Sequence, residues 1–437
     1  MKFSIYNELF YVNEKCYLYN ILSTALIEID SEIENSIKNE NVLLIPQQYE
    51  AAMKKMHFIV DDECKENQEY MYFYNSVRFG KALNTLQVVL IPSYGCNLVC
   101  PYCMQGLNKN NKTITEQGIN SVGKFIRDKV EKSHSDGMAI KTLNIQLFGG
   151  EPLISKKEIF KFAEITKQIA DEFGCKTNYS MTSNFTLVDD DIIDFVMKYD
   201  ITTQVSIDGT KYQHNQSRIR KDGSGTYDTI LSNLKRFKEL GLENKVVIRL
   251  NVHKMNIMDA DAIMAAVAPY STDVYFGFVE NFKGSNDAFS DCIVHSDYAD
   301  VLTNDLASIY KKYGFDIPRP FGKMAPCSLN AENRFIIDPE LNVYKCEVLL
   351  QRNDTKIGSI NDDGQLVLSS GFYRQMFHSP ERQSKCMECK LLPICGGGCV
   401  AKSYLDEGKT DGNFDDVNCF IDEETLVKYL KAYVSQK

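Results

Sequence analysis

Apolar and polar positions alternate along this chain in two rhythms, and the change of rhythm marks its regions. From residue 86 onward short apolar runs recur at Leu86 to Ile91, Leu143 to Phe148, Asn178 to Thr182, Thr203 to Ile207, Val246 to Val252 and Val274 to Val279, which predicts six strands. Between them the apolar residues fall at helical spacing. One such stretch carries Ile119, Val122, Phe125, Ile126 and Val130 behind a capping box from Thr113 to Glu116. Another carries Ile159, Phe162, Ile165, Ile169 and Phe173 and stops at Gly174. Six strand–helix repeats predict an α/β fold: a parallel sheet with its helices outside, and chemistry at the carboxyl ends of the strands.

The first 80 residues follow another pattern. Phe3 to Val12 and Cys16 to Asn20 read as a strand pair turning at Asn13-Glu14. Ser31 can cap a helix carrying Ile33 and Ile37, and Pro46 opens another with Tyr49, Met53 and Met56. His57 to Val60 reads as a returning strand, and the acidic stretch Asp61 to Asn67 as a linker. A small α+β, winged-helix-like module is expected over residues 1–80.

Composition narrows the picture. A chain of 437 residues exceeds one ordinary core and predicts two or three domains. No apolar run reaches membrane-spanning length, and the start lacks the apolar core of a signal peptide, so a cytoplasmic protein without a membrane partner is expected. A formal charge of −10 argues against nucleic acid as partner. Fourteen cysteines in a reducing compartment exclude a large disulfide framework. Ten of them cluster, at Cys96 to Cys103 and at Cys327 to Cys419, and point to metal binding; Cys16, Cys64, Cys175 and Cys292 stand alone and read as free thiols.

The sharpest signal is Cys96-Asn-Leu-Val-Cys100-Pro-Tyr-Cys103. Three thiols cannot pair off as disulfides, and a single zinc ion would want a fourth ligand, while His57 and His134 lie about 30 or more residues away. Three thiolates on a four-iron cube leave one iron open. Gly149-Gly150-Glu151-Pro152 follows about 45 residues beyond the triplet, and Ser206-Ile207-Asp208-Gly209 further on; each motif lies at the end of a predicted strand.

These motifs resemble the radical S-adenosylmethionine (radical SAM) enzymes, over about residues 84 to 425. The resemblance implies a partial (β/α)6 TIM barrel, with the radical SAM core over residues 84–310. Cys96, Cys100 and Cys103 would hold a 4Fe–4S cluster whose open iron binds SAM, and one electron would then release a 5′-deoxyadenosyl radical. Tyr102 matches the aromatic near adenine. Gly149, Gly150 and Glu151 match the GGEP motif that meets the SAM amino group. Ser206 and Arg218 match positions that contact ribose and carboxylate, and Thr182-Ser183-Asn184 falls where relatives carry Thr-Asn-Gly.

The order Cys327, Cys346, Cys386-x2-Cys389-x5-Cys395-x3-Cys399 and Cys419 resembles the SPASM domain, expected over residues 311–437 with two auxiliary 4Fe–4S clusters. By that likeness Cys386, Cys389, Cys395 and Cys419 bind the distal cluster, and Cys327, Cys346 and Cys399 the proximal one. Leu341 stands where the family has a glycine. Phe321 stands where sulfatase maturases have a further proximal cysteine, which leaves an open iron unless Cys292 closes it. Glu347 aligns with the carboxylate that acts as base in those maturases.

The extra N-terminal module favours a peptide maturase, which would bind a leader-bearing ribosomal precursor peptide and install a thioether or carbon–carbon cross-link. A flavodoxin- or ferredoxin-type reductant is the expected second partner. The alternatives are an anaerobic sulfatase-maturating enzyme that oxidises Cys or Ser to formylglycine, and a non-catalytic iron–sulfur electron-transfer protein.

Overall fold

The computed structural model of the protein describes residues 1–79, 84–106, 110–282, 289–293, 297–317, 327–376, 378–408 and 421–436. The chain opens with a two-residue strand, β1 (Lys2–Phe3), and then an antiparallel sheet of β2 (Asn7–Val12), β3 (Lys15–Asn20) and β4 (Leu26–Ile29). The β2–β3 turn falls at Asn13 and Glu14, with φ of 47° and 65°. Two successive left-handed residues give the twist that a tight hairpin needs. Helices Ser31–Lys38 and Gln47–Lys55 follow, and β5 (Ile59–Val60) returns to pair with β1. Asp30 rather than Ser31 caps the first helix, because its carboxylate accepts from the amides of Glu32 and Ile33.

The expected linker is not one. Helix Glu66–Arg78 begins inside it, and Glu66 is buried. The Glu66 carboxylate accepts from Ser4 Oγ at 2.5 Å and from the amide of Ile5 at 3.0 Å, with His57 Nε2 at 3.5 Å. An acidic stretch reads as solvated unless its partners are known, and here Ser4 and Ile5 lie some 60 residues upstream.

Six parallel strands come next, in sequence order across the sheet: β6 (Thr85–Leu90), β7 (Thr142–Leu147), β8 (Lys176–Ser183), β9 (Thr202–Ile207), β10 (Val246–Val252) and β11 (Asp273–Phe278). One face of each strand is apolar. Leu86, Val88, Leu143, Ile145, Val205, Ile207, Ile248 and Leu250 are buried in one core with Val122, Phe125, Ile159, Phe162, Ile230 and Ile263 from the covering helices. The capping residue of helix Glu116–Ser135 is Thr115, two places after Thr113, whose hydroxyl instead bonds Ser93 Oγ at 3.2 Å. Gly174 ends helix Lys156–Phe173 in the left-handed conformation, as expected.

The β6 edge does not end the sheet. β12 (Arg334–Ile337) adds to it in parallel, and β13 (Asn342–Tyr344), β14 (Gly358–Ile360) and β15 (Leu366–Leu368) continue antiparallel, giving ten strands among the described residues. The C-terminal helix Glu423–Gln436 crosses back to the N-terminal sheet. Tyr6, Phe10, Tyr19 and Ile21 share a core with Leu391, Ile394, Leu426 and Leu430. Tyr70, Met71 and Tyr74 pack against Cys386 and Leu392, and Lys390 Nζ meets Glu8 at 2.7 Å. No helix among the described residues is long and apolar enough to cross a membrane.

Candidate active site

Past β6 the chain crosses the carboxyl end of the sheet as the loop that carries the cysteine triplet. Backbone bonds pin it from two sides. Gly150 N donates to Ser93 O at 3.1 Å and Glu151 N to Gly95 O at 2.9 Å; on the far side Val99 N donates to Ile219 O at 2.9 Å. This approach requires glycine. Gly149 has φ of 142°, and a Cβ there would lie 2.6 Å from Ser93 O. A Cβ on Gly150 would collide with the carbonyls of Tyr94 and Gly95.

Cys96 and Cys100 are buried and Cys103 half-buried, and the three pack together with Leu98 and Tyr102. They line a cavity of about 390 Å³ with Gly149, Gly150, Thr182, Ser206 and Arg218. Glu151 lies behind that wall, fully buried. Its carboxylate accepts from Ser183 Oγ at 2.8 Å and from the amides of Leu153 and Asn184, at 3.1 and 2.6 Å. It ties the end of β7 to the end of β8, and burial raises its proton affinity against those bonds.

Opposite the cysteines stands a polar network. Tyr102 donates to Asp208, and Arg218 Nη1 donates to the Tyr102 hydroxyl at 2.9 Å. Asn251 Nδ2 donates to Asp208 Oδ1 at 2.9 Å, and the amide of Asp208 donates to His214 Nδ1 at 3.2 Å. Burial pushes the Tyr102 phenol well above its usual range and lowers His214 to about 4, so His214 is a neutral acceptor. Gln105 Nε2 donates to Gly149 O at 3.1 Å.

The site also tests the two groups that its motifs imply. Among the described residues no three Cys, His, Asp or Glu side chains converge on a single metal ion, the Cys96 triplet included. Three thiols gathered on one cavity suit an iron–sulfur cluster, which thiolates hold. Gln105 Oε1 and Arg218 Nε are buried at the cavity without hydrogen-bond partners among the described residues, which a polar ligand there would supply. The residues fit an iron–sulfur cluster and a polar cofactor.

Residues 90–267 match the radical SAM superfamily. This segment is a radical SAM domain. Over 383 residues the chain is 24% identical to the radical SAM cyclopropyl synthase TigE of Paramaledivibacter caminithermalis, covering 77% of this chain and 74% of that protein. It is 21% identical to a cysteine-type anaerobic sulfatase-maturating enzyme of Clostridium perfringens, over 70% of this chain and 86% of the relative. Streptococcus suis SuiB, solved with S-adenosylmethionine and also with precursor peptide SuiA, covers 96% of this chain and all of its own at TM-scores of 0.54 and 0.53. At 16% identity that last likeness is one of fold. A radical SAM domain implies a 4Fe–4S cluster and SAM.

The other clustered cysteines among the described residues fall in two neighbourhoods outside the radical SAM domain. The thiols of Cys327, Cys346 and Cys399 are close enough to act on one another, and burial pushes Cys346 up to about 12. Cys386, Cys389 and Cys395 lie against the N-terminal region, beside Tyr6, Tyr70 and Leu392. Gly396, Gly397 and Gly398, all at positive φ, turn the chain between Cys395 and Cys399. Cys419 and Phe321 lie outside the described residues. Glu347 is held by Arg334 and lines a separate cavity of about 280 Å³, which shares Met104, Gln105 and Val348 with the larger one.

Asp208, Asn251, Gln105 and Arg249 went unread as site residues in the sequence. A signal existed. Gln204 and Ser206, then Arg249 and Asn251, alternate with Val, Ile and Leu in strands that helices cover, and such alternation marks a polar lumen.

Proposed function

We propose that this chain is a peptide-modifying radical SAM enzyme. When bound, SAM and the cluster together supply a 5′-deoxyadenosyl radical that abstracts a carbon-bound hydrogen. The observation that carries this reading is the cavity, in which Cys96, Cys100 and Cys103 meet Gly149, Gly150, Ser206 and Arg218. The chain's own residues have separable tasks. The three cysteines hold the cluster, the strand-end backbone of Gly149 and Gly150 orients the methionine amine, and Tyr102 and Ser206 border the nucleoside. Arg218, tied to Tyr102 and Asp208, faces the methionine carboxylate.

The substrate in this reading is a ribosomal precursor peptide, recognised through residues 1–80 and converted to a thioether or carbon–carbon cross-link. Support comes from the antiparallel sheet near the N-terminus and from fold similarity to SuiB along nearly the whole chain. The C-terminal region acts as a SPASM domain with two auxiliary clusters, one on Cys327, Cys346 and Cys399, the other on Cys386, Cys389, Cys395 and Cys419. Glu347 serves as base from the adjoining cavity, and a flavodoxin- or ferredoxin-type protein supplies electrons. A second reading, sulfatase maturation, draws support from the Clostridium perfringens relative, most of whose length aligns.

One experiment separates these readings. Anaerobically reconstituted protein with dithionite and SAM is assayed for 5′-deoxyadenosine, first alone and then with candidate peptides. A peptide product lighter by two hydrogens and free of aldehyde supports cross-linking, and an aldehyde supports sulfatase maturation. No 5′-deoxyadenosine from fully loaded protein would overturn both.

A further inference from the structure

Arg249 stands out among the residues that line the cavity. It projects from β10 on the face shared with Asn251, two residues nearer the start of the strand, hence about 7 Å deeper in the barrel. Its Nε donates to Asn251 Oδ1 at 2.8 Å and its Nη2 to Phe278 O at 3.3 Å. Those bonds fix the guanidinium plane and leave Nη1 without a hydrogen-bond partner among the described residues. No carboxylate lies within ion-pair distance of it there. Arg218 and Arg334, by contrast, each face an acid, Asp208 and Glu347. Glu280 also lines the cavity, at an exposed position.

The neighbouring strand makes room for this arrangement. Gly277 of β11 lies directly under the guanidinium, and a Cβ there would come within 2.5 Å of Nε and 2.8 Å of Cζ. Its φ is not in the left-handed region, so backbone conformation does not demand glycine; a Cβ there would instead push the guanidinium out of this position. A guanidinium held flat, half-buried and without an ion-pair partner among the described residues is built to receive a planar anion through two parallel hydrogen bonds.

We propose that Arg249 and Gly277 form a carboxylate-binding subsite in the cavity, and that its occupant is a carboxylate of the peptide substrate. This rests on the peptide-modifying reading above and sharpens it: the substrate presents an Asp or Glu side chain, or its own C-terminus, into the barrel. The other source of the same chemistry is the methionine carboxylate of SAM, for which Arg218 is the nearer candidate.

The test uses cluster-loaded full-length protein, with SAM present and no reductant, and measures binding of acetyl-Ala-Glu-Ala-amide against acetyl-Ala-Gln-Ala-amide. The wild type should prefer the carboxylate peptide by about tenfold or more, as a charge-assisted pair left unmade costs. Arg249→Gln should erase that preference. Gly277→Ala keeps the charge and displaces the guanidinium, and should erase it too; unchanged iron content and circular dichroism certify both folds. SAM affinity is measured on the same variants by equilibrium dialysis. Equal binding of the two peptides to the wild type would overturn the subsite. A tenfold loss of SAM affinity with the peptide preference intact would assign the carboxylate to the cofactor and overturn the peptide claim. Formation of 5′-deoxyadenosine by the wild type reports separately on the function proposed above, so failure of one is not failure of the other.

Discussion

Cys96, Cys100 and Cys103 hang from strand ends, whereas Cys386, Cys389 and Cys395 lie between stretches of chain more than 300 residues apart. The first set is positioned by local means: a short loop, two obligatory glycines and the backbone ladder of β6 and β7. The second depends on Tyr6, Phe10, Tyr70 and Tyr74 reaching it from the N-terminal region and on the C-terminal helix closing over both. A site of the first kind is announced by its motif. One of the second kind shows its cysteines but hides what supports them.

The contrast breaks most sharply with the largest change. Replacing Cys96, Cys100 and Cys103 together by Ala should abolish 5′-deoxyadenosine formation and remove about four of about twelve irons, leaving the C-terminal sets filled. Iron analysis after anaerobic reconstitution checks this, and loss of all iron would mean that the neighbourhoods are not independent. Deleting residues 1–79 is the converse. It strips one side of the core that contains Leu391, Ile394, Leu426 and Leu430, so iron should fall at the Cys386 set and a dye for exposed apolar surface should bind. A truncated chain with full iron and an unchanged melting temperature would show the N-terminal region to be a separable module.

Single substitutions sharpen the same comparison. Phe10→Ala, in that shared core, should cost about 3–5 kcal/mol in denaturant unfolding. Gly150→Ala should cost about 1–3 kcal/mol, and because it drives the cysteine loop off β7 it should lower iron at the Cys96 set alone.

The most gradual effect is a pH dependence. His214 sits near 4 in the fold against an ordinary 6.5, so the unfolded chain binds its proton first. Its contribution is therefore intact above pH 6.5, declines as pH falls toward about 4, and is flat below. The full span is about 3 kcal/mol. His214→Gln should remove that decline, while His378, also lowered to about 4, keeps its own. An unchanged slope in the variant would refute the assignment.

The parallel strands were legible because each is an apolar run of the right length, and β6, β7, β9, β10 and β11 begin within a residue of expectation. Periodicity also placed Ile119, Val122, Phe125 and Ile126 in the core. What failed to read was long-range. Glu66 looked like part of a solvated linker because its partners, Ser4 and Ile5, sit far upstream. Arg249 looked like an ordinary strand residue because the glycine that makes room for it is on the next strand. Thr115 took the capping role from Thr113 because the latter's hydroxyl was already drawn to Ser93.

The pairing of β12 with β6 has a consequence for how the protein is made. Arg334 lies opposite Gln87, about 250 positions later in the chain. At ribosomal speeds the β6 edge waits for its partner for roughly 12 to 50 seconds, while the other five parallel strands are already emerging. Through that interval Val88, Val89 and Leu90 offer an unpaired, wholly apolar edge of the kind that recruits foreign strands. Yield in the cell should therefore depend on what shields that edge during synthesis, a chaperone or slow growth, more than on the stability of the finished fold.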